Sequence, residues 1–241
     1  MTSILALDAS TELCSVALLH GDNLIERVSD LPRSHAARLL PMVDEVLAEG
    51  ECSLRQLDAI AFGAGPGSFT GLRICIGVVQ GLAFGANLPV VAVSSLEAMA
   101  FMAQKQYPES THIIPAIDAR MKEIYWAAYT SSNGNSTGLE SVIAPQVSSV
   151  IATDANLKAW LSEKNGLSDK STIGVGSGWA LLQQSRTLLS NCRDDFYPRA
   201  AAVAKLGEAA FYNGAYTDAM SAEPIYLRTE ISWKKRERIR G

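Results

Sequence analysis

The chain has 241 residues, 48% of them hydrophobic and 19% charged, which supplies apolar mass for one large core or two small ones and excludes general disorder. A formal charge of -4 and a pI of about 5.4 exclude the overall basic footprint of a self-sufficient nucleic-acid binder, so any RNA contact has to be local or shared. Cys14, Cys52, Cys75 and Cys192 form no C-x-x-C pair, which reads as reduced thiols in a soluble cytoplasmic protein.

The opening MTSILALDAS has no basic leader region and meets Asp8 after a short apolar run, so it is predicted to be a first strand, not a signal peptide. Residues 4–10, 14–20 and 23–29 read as an antiparallel meander with a Gly21-Asp22 turn. Over 34–49 the apolar positions Ala36, Leu39, Leu40, Val43, Val46 and Leu47 make a helical stripe stopped by Gly50, and Pro41 inside it is expected to kink the helix or delay its start. A strand at 58–63, the segment GPGSFTGLR at 65–73, a helix over 69–84, a strand at 89–93 and a helix beginning SSLEAMAFMAQ complete the first half. Residues 74–93 carry no formal charge over a length that could cross a bilayer, but Asn87 and Pro89 divide them into a helix and a short strand.

The order then repeats. Strands are predicted at 112–118, at 123–131 and near 142–144, a helix at 156–164, a strand in STIGVG and a helix from 179 to 189. Ile4 to Ala9 and Ile114 to Ala119 share I-x-A-x-D-A, which favours duplicated α/β lobes facing a cleft. The expected division is lobe one at 1–104, lobe two at 105–220 and a tail at 221–241. SSNGNSTG at 131–138 reads as a mobile hairpin, 199–213 as a late helix able to pack on either lobe, and the basic run 234–241 as a solvated end or a phosphate contact.

GPGSFTGLR does not fit a phosphate cradle. The P-loop needs G-x-x-x-x-G-K-[ST], whereas here no lysine follows, and Gly65, Gly67 and Gly71 miss the dinucleotide spacing by one residue. A stronger signal lies downstream, where Gly77, Gly81 and Gly85 recur on one helix face among large aliphatics with hardly a polar side. Either the chain's own elements or a partner protein must cover that second apolar face. His20, His35 and His112 show no metal-ligand spacing, and no serine or cysteine is paired in sequence with a histidine and a carboxylate. Asp8 and Asp118, each ending the first strand of a half, are the candidate cleft carboxylates; turn or cap roles suit them equally.

DAST, GPGSFTGLRIC-G, PVVAVSSLEA, the GVGSG turn and the late P-I-Y-L-R resemble the bacterial TsaB (YeaZ) family over nearly the whole chain. The resemblance implies a duplicated actin-like (ASKHA, RNase H-like) fold and similarity to TsaD, the subunit that places threonylcarbamoyl on the adenosine beside the anticodon in tRNAs reading codons that begin with A. TsaD holds its metal through H-x-x-x-H; here Ser95 and Met99 stand at those positions and cannot replace imidazole. Asp8, Ser10, Asp118 and Gly176 then mark a degenerate nucleotide cleft with no cofactor. The resemblance further implies a non-catalytic subunit that binds TsaD, with TsaE as the third component, forms a homodimer when TsaD is absent, meets tRNA only through the complex and does not engage membrane. The expected contact is a four-helix bundle built from helices 36–48 and 69–84, through Arg38, Met42, Arg73, Ile74, Gly77, Val78 and Gly81. The alternative from the enzyme class is an actin-like ATPase or small-molecule kinase using Asp8 and Asp118; a peptidase lacks an evident nucleophile and base.

Overall fold

A computed structural model describes residues 2–31, 34–132, 134, 137–163, 171–189 and 191–228. The basic run 234–241, Lys164 and part of the 131–138 hairpin lie outside the described residues. Strands β1 (Ser3–Asp8), β2 (Cys14–His20) and β3 (Asn23–Ser29) form the expected meander, and β4 (Ala59–Gly65) and β5 (Val90–Ser94) extend it in the order β3-β2-β1-β4-β5, with β1, β4 and β5 parallel. In the second half β6 (His112–Asp118), β7 (Glu123–Ser131), β8 (Leu139–Ser149), β9 (Thr172–Val175) and β10 (Cys192–Arg193) take the equivalent order, with β6 again flanked by an antiparallel and a parallel neighbour. The duplicated plan legible in the element order is therefore present as two sheets of one topology.

β1 is buried along its whole length because helices cover both faces of the first sheet. On one side α1 (His35–Glu49) and α2 (Phe69–Ala86) bring Leu39, Val43, Val46, Cys75, Val79 and Ala83 onto Leu5, Leu7 and Phe62. On the other, α3 (Ser95–Gln106) and α6 (Ala200–Tyr212) pack on Ile4, Ala6, Ala61 and Val91. The late helix thus returns to lobe one, tied by Ala200 N donating to Ser15 Oγ at 2.8 Å and by an Arg199–Glu26 ion pair. α3 also sends Leu96, Met99 and Ala103 into the core of the second sheet, so it belongs to both lobes.

Three expectations need correction. Pro41 does not delay α1, which starts at His35; Pro41 faces solvent, where the carbonyl it leaves unpaired can meet water. The helix predicted at 156–164 begins earlier, as α4 (Val150–Glu163), because the β-branched Val150, Ile151 and Thr153 disguise its first turn. The helix predicted at 179–189 is a 3-10 turn at Ser177–Ala180 followed by the short α5 (Gln183–Arg186). Asp154 causes the restart: its carboxylate accepts from Gln184 N at 3.0 Å and Ser185 N at 2.6 Å, a cap that begins a new helix. Those contacts also hold its carboxyl below the usual range despite the opposing effect of burial.

By length and composition α2 is long and apolar enough to cross a membrane. Its place in the fold argues otherwise: it is the crossover between two parallel, adjacent strands, β4 and β5, and it lies on their sheet.

Candidate partner-binding face and the residual cleft

The loop before α2 is tied back to the chain through Ser68. Ser68 N donates to Ser10 O at 2.7 Å, and the Ser68 hydroxyl caps the helix by accepting from Gly71 N at 3.3 Å. Gly67 and Gly71 are needed because a Cβ at either would overlap the backbone carbonyl of Ser10 or Ala9. The segment is a tight joint between β1 and α2, and its Ser68 and Gly71 amides are used within the chain.

Beyond that joint α2 has two faces. Leu72, Cys75, Ile76, Val79 and Ala83 are buried, whereas Arg73, Gly77, Gly81, Phe84 and Gly85 are exposed and Ile74, Val78 and Leu82 lie half-buried between them. A Cβ built on Gly77, Gly81 or Gly85 meets nothing within 4 Å. Phe84 is 72% exposed, and the Arg73 guanidinium stacks 3.8 Å from the Phe69 ring centroid. The second apolar face is therefore left uncovered by the chain's own described residues. Phe84 is missing from the expected contact set although it lies three residues after Gly81 and seven after Gly77, a spacing that already puts it on their face.

In α1 the expectation divides. Arg38 is half-exposed with its Nη2 3.8 Å from Glu45, whereas Met42 is fully buried and unavailable to a partner. The reason is helical spacing: Leu39, Met42, Val43 and Val46 share the core face, and Leu40, 48% exposed, takes the outer position. Met42→Ala will lower stability by about 2–5 kcal/mol in a denaturant melt, while Leu40→Ala will change it by less than about 1 kcal/mol.

The cleft between the lobes, about 610 Å³, is lined by Ser10, Thr11, Glu12, His35, Asp118 and Arg120 among others. Asp118 reaches it already engaged: its carboxylate accepts from Arg120 N at 2.7 Å and Arg120 Nη1 at 3.2 Å, and Arg120 in turn pairs with Glu12 at 3.1 Å. Asp8 does not line the cleft. It is fully buried on the same strand face as Ile4 and Ala6, its carboxylate bonded to Ser10, and burial pushes its carboxyl up to about 7 against those hydrogen bonds. Gly176 also stays out of the cleft, since a Cβ there would overlap Ala116 O and the Met99 methyl. Met99 and Ser95 are both buried in α3; among the described residues the Ser95 hydroxyl has no hydrogen-bond partner, and no three histidine, cysteine or carboxylate side chains gather as a metal site.

The family model described as TsaD, tRNA N6-adenosine threonylcarbamoyltransferase, matches residues 29–205. The tRNA threonylcarbamoyladenosine biosynthesis protein TsaB of Haemophilus influenzae is 39% identical over 97% of this chain and 96% of its own, and that of Escherichia coli is 37% identical over 96% and 97%. Among solved structures, YeaZ from Pseudomonas aeruginosa superposes with a TM-score of 0.80 at 37% identity, covering 94% of this chain and all of that one. With two sheets of one topology, each carrying the same strand order, the chain belongs to the TsaB/YeaZ family and has its duplicated actin-like fold.

Proposed function

We propose that the chain is a non-catalytic subunit in the biosynthesis of threonylcarbamoyladenosine on tRNA, acting by binding and supporting a TsaD-type transferase together with TsaE, and pairing with itself when that transferase is absent. The observation that carries this reading is the glycine-lined outer face of α2. A glycine inside a helix costs about 1 kcal/mol relative to alanine, and no neighbour in this fold requires one at Gly77, Gly81 or Gly85. Close approach by another backbone supplies the missing reason. The names carried by the H. influenzae and E. coli relatives support the pathway.

Purified alone, the chain will transfer no threonylcarbamoyl from its adenylate to tRNA; added to the TsaD and TsaE of the same organism, it will raise their transfer rate. Transfer by the isolated chain would overturn the proposal. The kinase or ATPase alternative finds little support: Asp118 is paired to Arg120, and Asp8 is buried with a carboxyl that is only half-ionised near neutrality. Titration with magnesium ATP at millimolar concentration is expected to give no heat of binding, and a saturable heat would revive that alternative.

A further inference from the structure

After α6 the chain crosses between its lobes once more, and this crossing is tied at both ends. Gln80 Nε2 of α2 donates to Ala222 O at 3.2 Å, Ile225 N donates to Ala64 O at 2.7 Å, and the Tyr226 ring lies 6.1 Å from that of Phe69, the first residue of α2. Two residues later Arg228 is on lobe two. Its Nη2 donates to Ala119 O at 3.0 Å and pairs with the Glu123 carboxylate, with the guanidinium 5.9 Å from the Tyr125 ring centroid.

The place that Arg228 grips is unusual in its backbone. Between β6 and β7, Arg120, Met121 and Lys122 have φ of 62°, 55° and 63°, three successive side-chain-bearing residues in the left-handed region. Such a run persists only where surrounding contacts hold it. The Arg120 side chain is 73% exposed in its pairs with Asp118 and Glu12, whereas Arg228 is 23% exposed and holds the turn on both sides, at Ala119 and at Glu123. Ala119 and Arg120 form part of one cleft wall, and Phe69 and Thr70 of α2 part of another.

We propose that residues 222–228 are a clasp coupling the first turn of α2 to the β6–β7 turn, so that the shape of the cleft depends on what α2 holds. The clasp stands independently of any partner; its use in reporting a bound partner rests on the reading of α2 given above.

Hydrogen exchange on the full chain tests it. The amides of Ala119 and Glu123 are bonded to Glu123 O and Arg120 O. Arg228→Ala is expected to speed their exchange by about tenfold or more, and Phe69→Ala, on the other lobe, to speed it in the same direction while α6 stays protected. Since both changes act on one link, the double variant will exchange no faster than Arg228→Ala alone. Wild-type exchange of the turn in Phe69→Ala, or additive effects in the double variant, would overturn the clasp. With a TsaD-type partner added, the wild-type turn will respond and that of Arg228→Ala will not, although both co-elute with the partner. Equal responses would refute the coupling, whereas failure of the wild type to co-elute would count against the reading of α2 and leave the result on the clasp standing.

Discussion

Replacing Gly77, Gly81 and Gly85 together by alanine will make the chain, melted as a dilute monomer, more stable by about 2–3 kcal/mol and its partner complex weaker by roughly a hundredfold. The first effect follows from helix propensity alone, because each added methyl meets open space and none of the three glycines has a positive φ. The second follows if another backbone must come within glycine distance of this face, since three methyls at a close-packed contact each cost about 1 kcal/mol or more. Denaturant melts and affinity measurements on the same preparation separate the two. Greater stability with undiminished affinity would mean that a partner, if any, sits elsewhere.

The second large effect concerns Asp8. Its carboxyl rises from 3.8 to about 7 on folding, chiefly through burial. The folded chain therefore holds this proton more tightly than the unfolded chain does. Between those two pH values unfolding releases a proton, so stability falls as pH rises, by about 1.4 kcal/mol per unit, and the whole loss of about 4 kcal/mol is present above pH 7. Asp8→Asn removes the titration while keeping the shape and the acceptor for Ser10. The variant is expected to match the wild type near pH 4 and to exceed it by about 3–4 kcal/mol at pH 8. Parallel pH profiles for the two proteins would show that Asp8 is not the buried group described.

Much of this architecture was legible in the sequence because strand alternation, helical spacing and turn residues act locally. The three-strand meander, its repeat in the second half and the α2 crossover follow from such patterns. What stayed hidden depends on distant partners. Nothing within residues 199–213 says which sheet α6 covers; its partners Ile4, Ala6, Ala61, Ser15 and Glu26 all lie far off in the chain. Nothing near residue 183 predicts a new helix, because the cap comes from Asp154. The placing of Asp8 was within reach, since alternation from Ile4 and Ala6 puts it on a covered sheet face. Met42 was misassigned for a related reason: the α1 stripe is wide enough that its edges cannot be told from its centre until the helix is docked.

In the candidate site, the local part was again the readable part. The glycine spacing on α2 showed in the sequence, whereas its exposure required knowing that α1 packs beside α2 and leaves the outer face open. The clasp was invisible, because Phe69, Ala119 and Arg228 lie far apart in the chain and meet only through the fold.

Site-specific photocross-linking in the mixture with the TsaD-type subunit tests the central claim most directly. A photoreactive residue replacing Phe84, 72% exposed on α2, is predicted to cross-link to that subunit, and one replacing Ile151, 84% exposed on α4, is predicted not to. Capture from position 151 with none from position 84 would contradict the account.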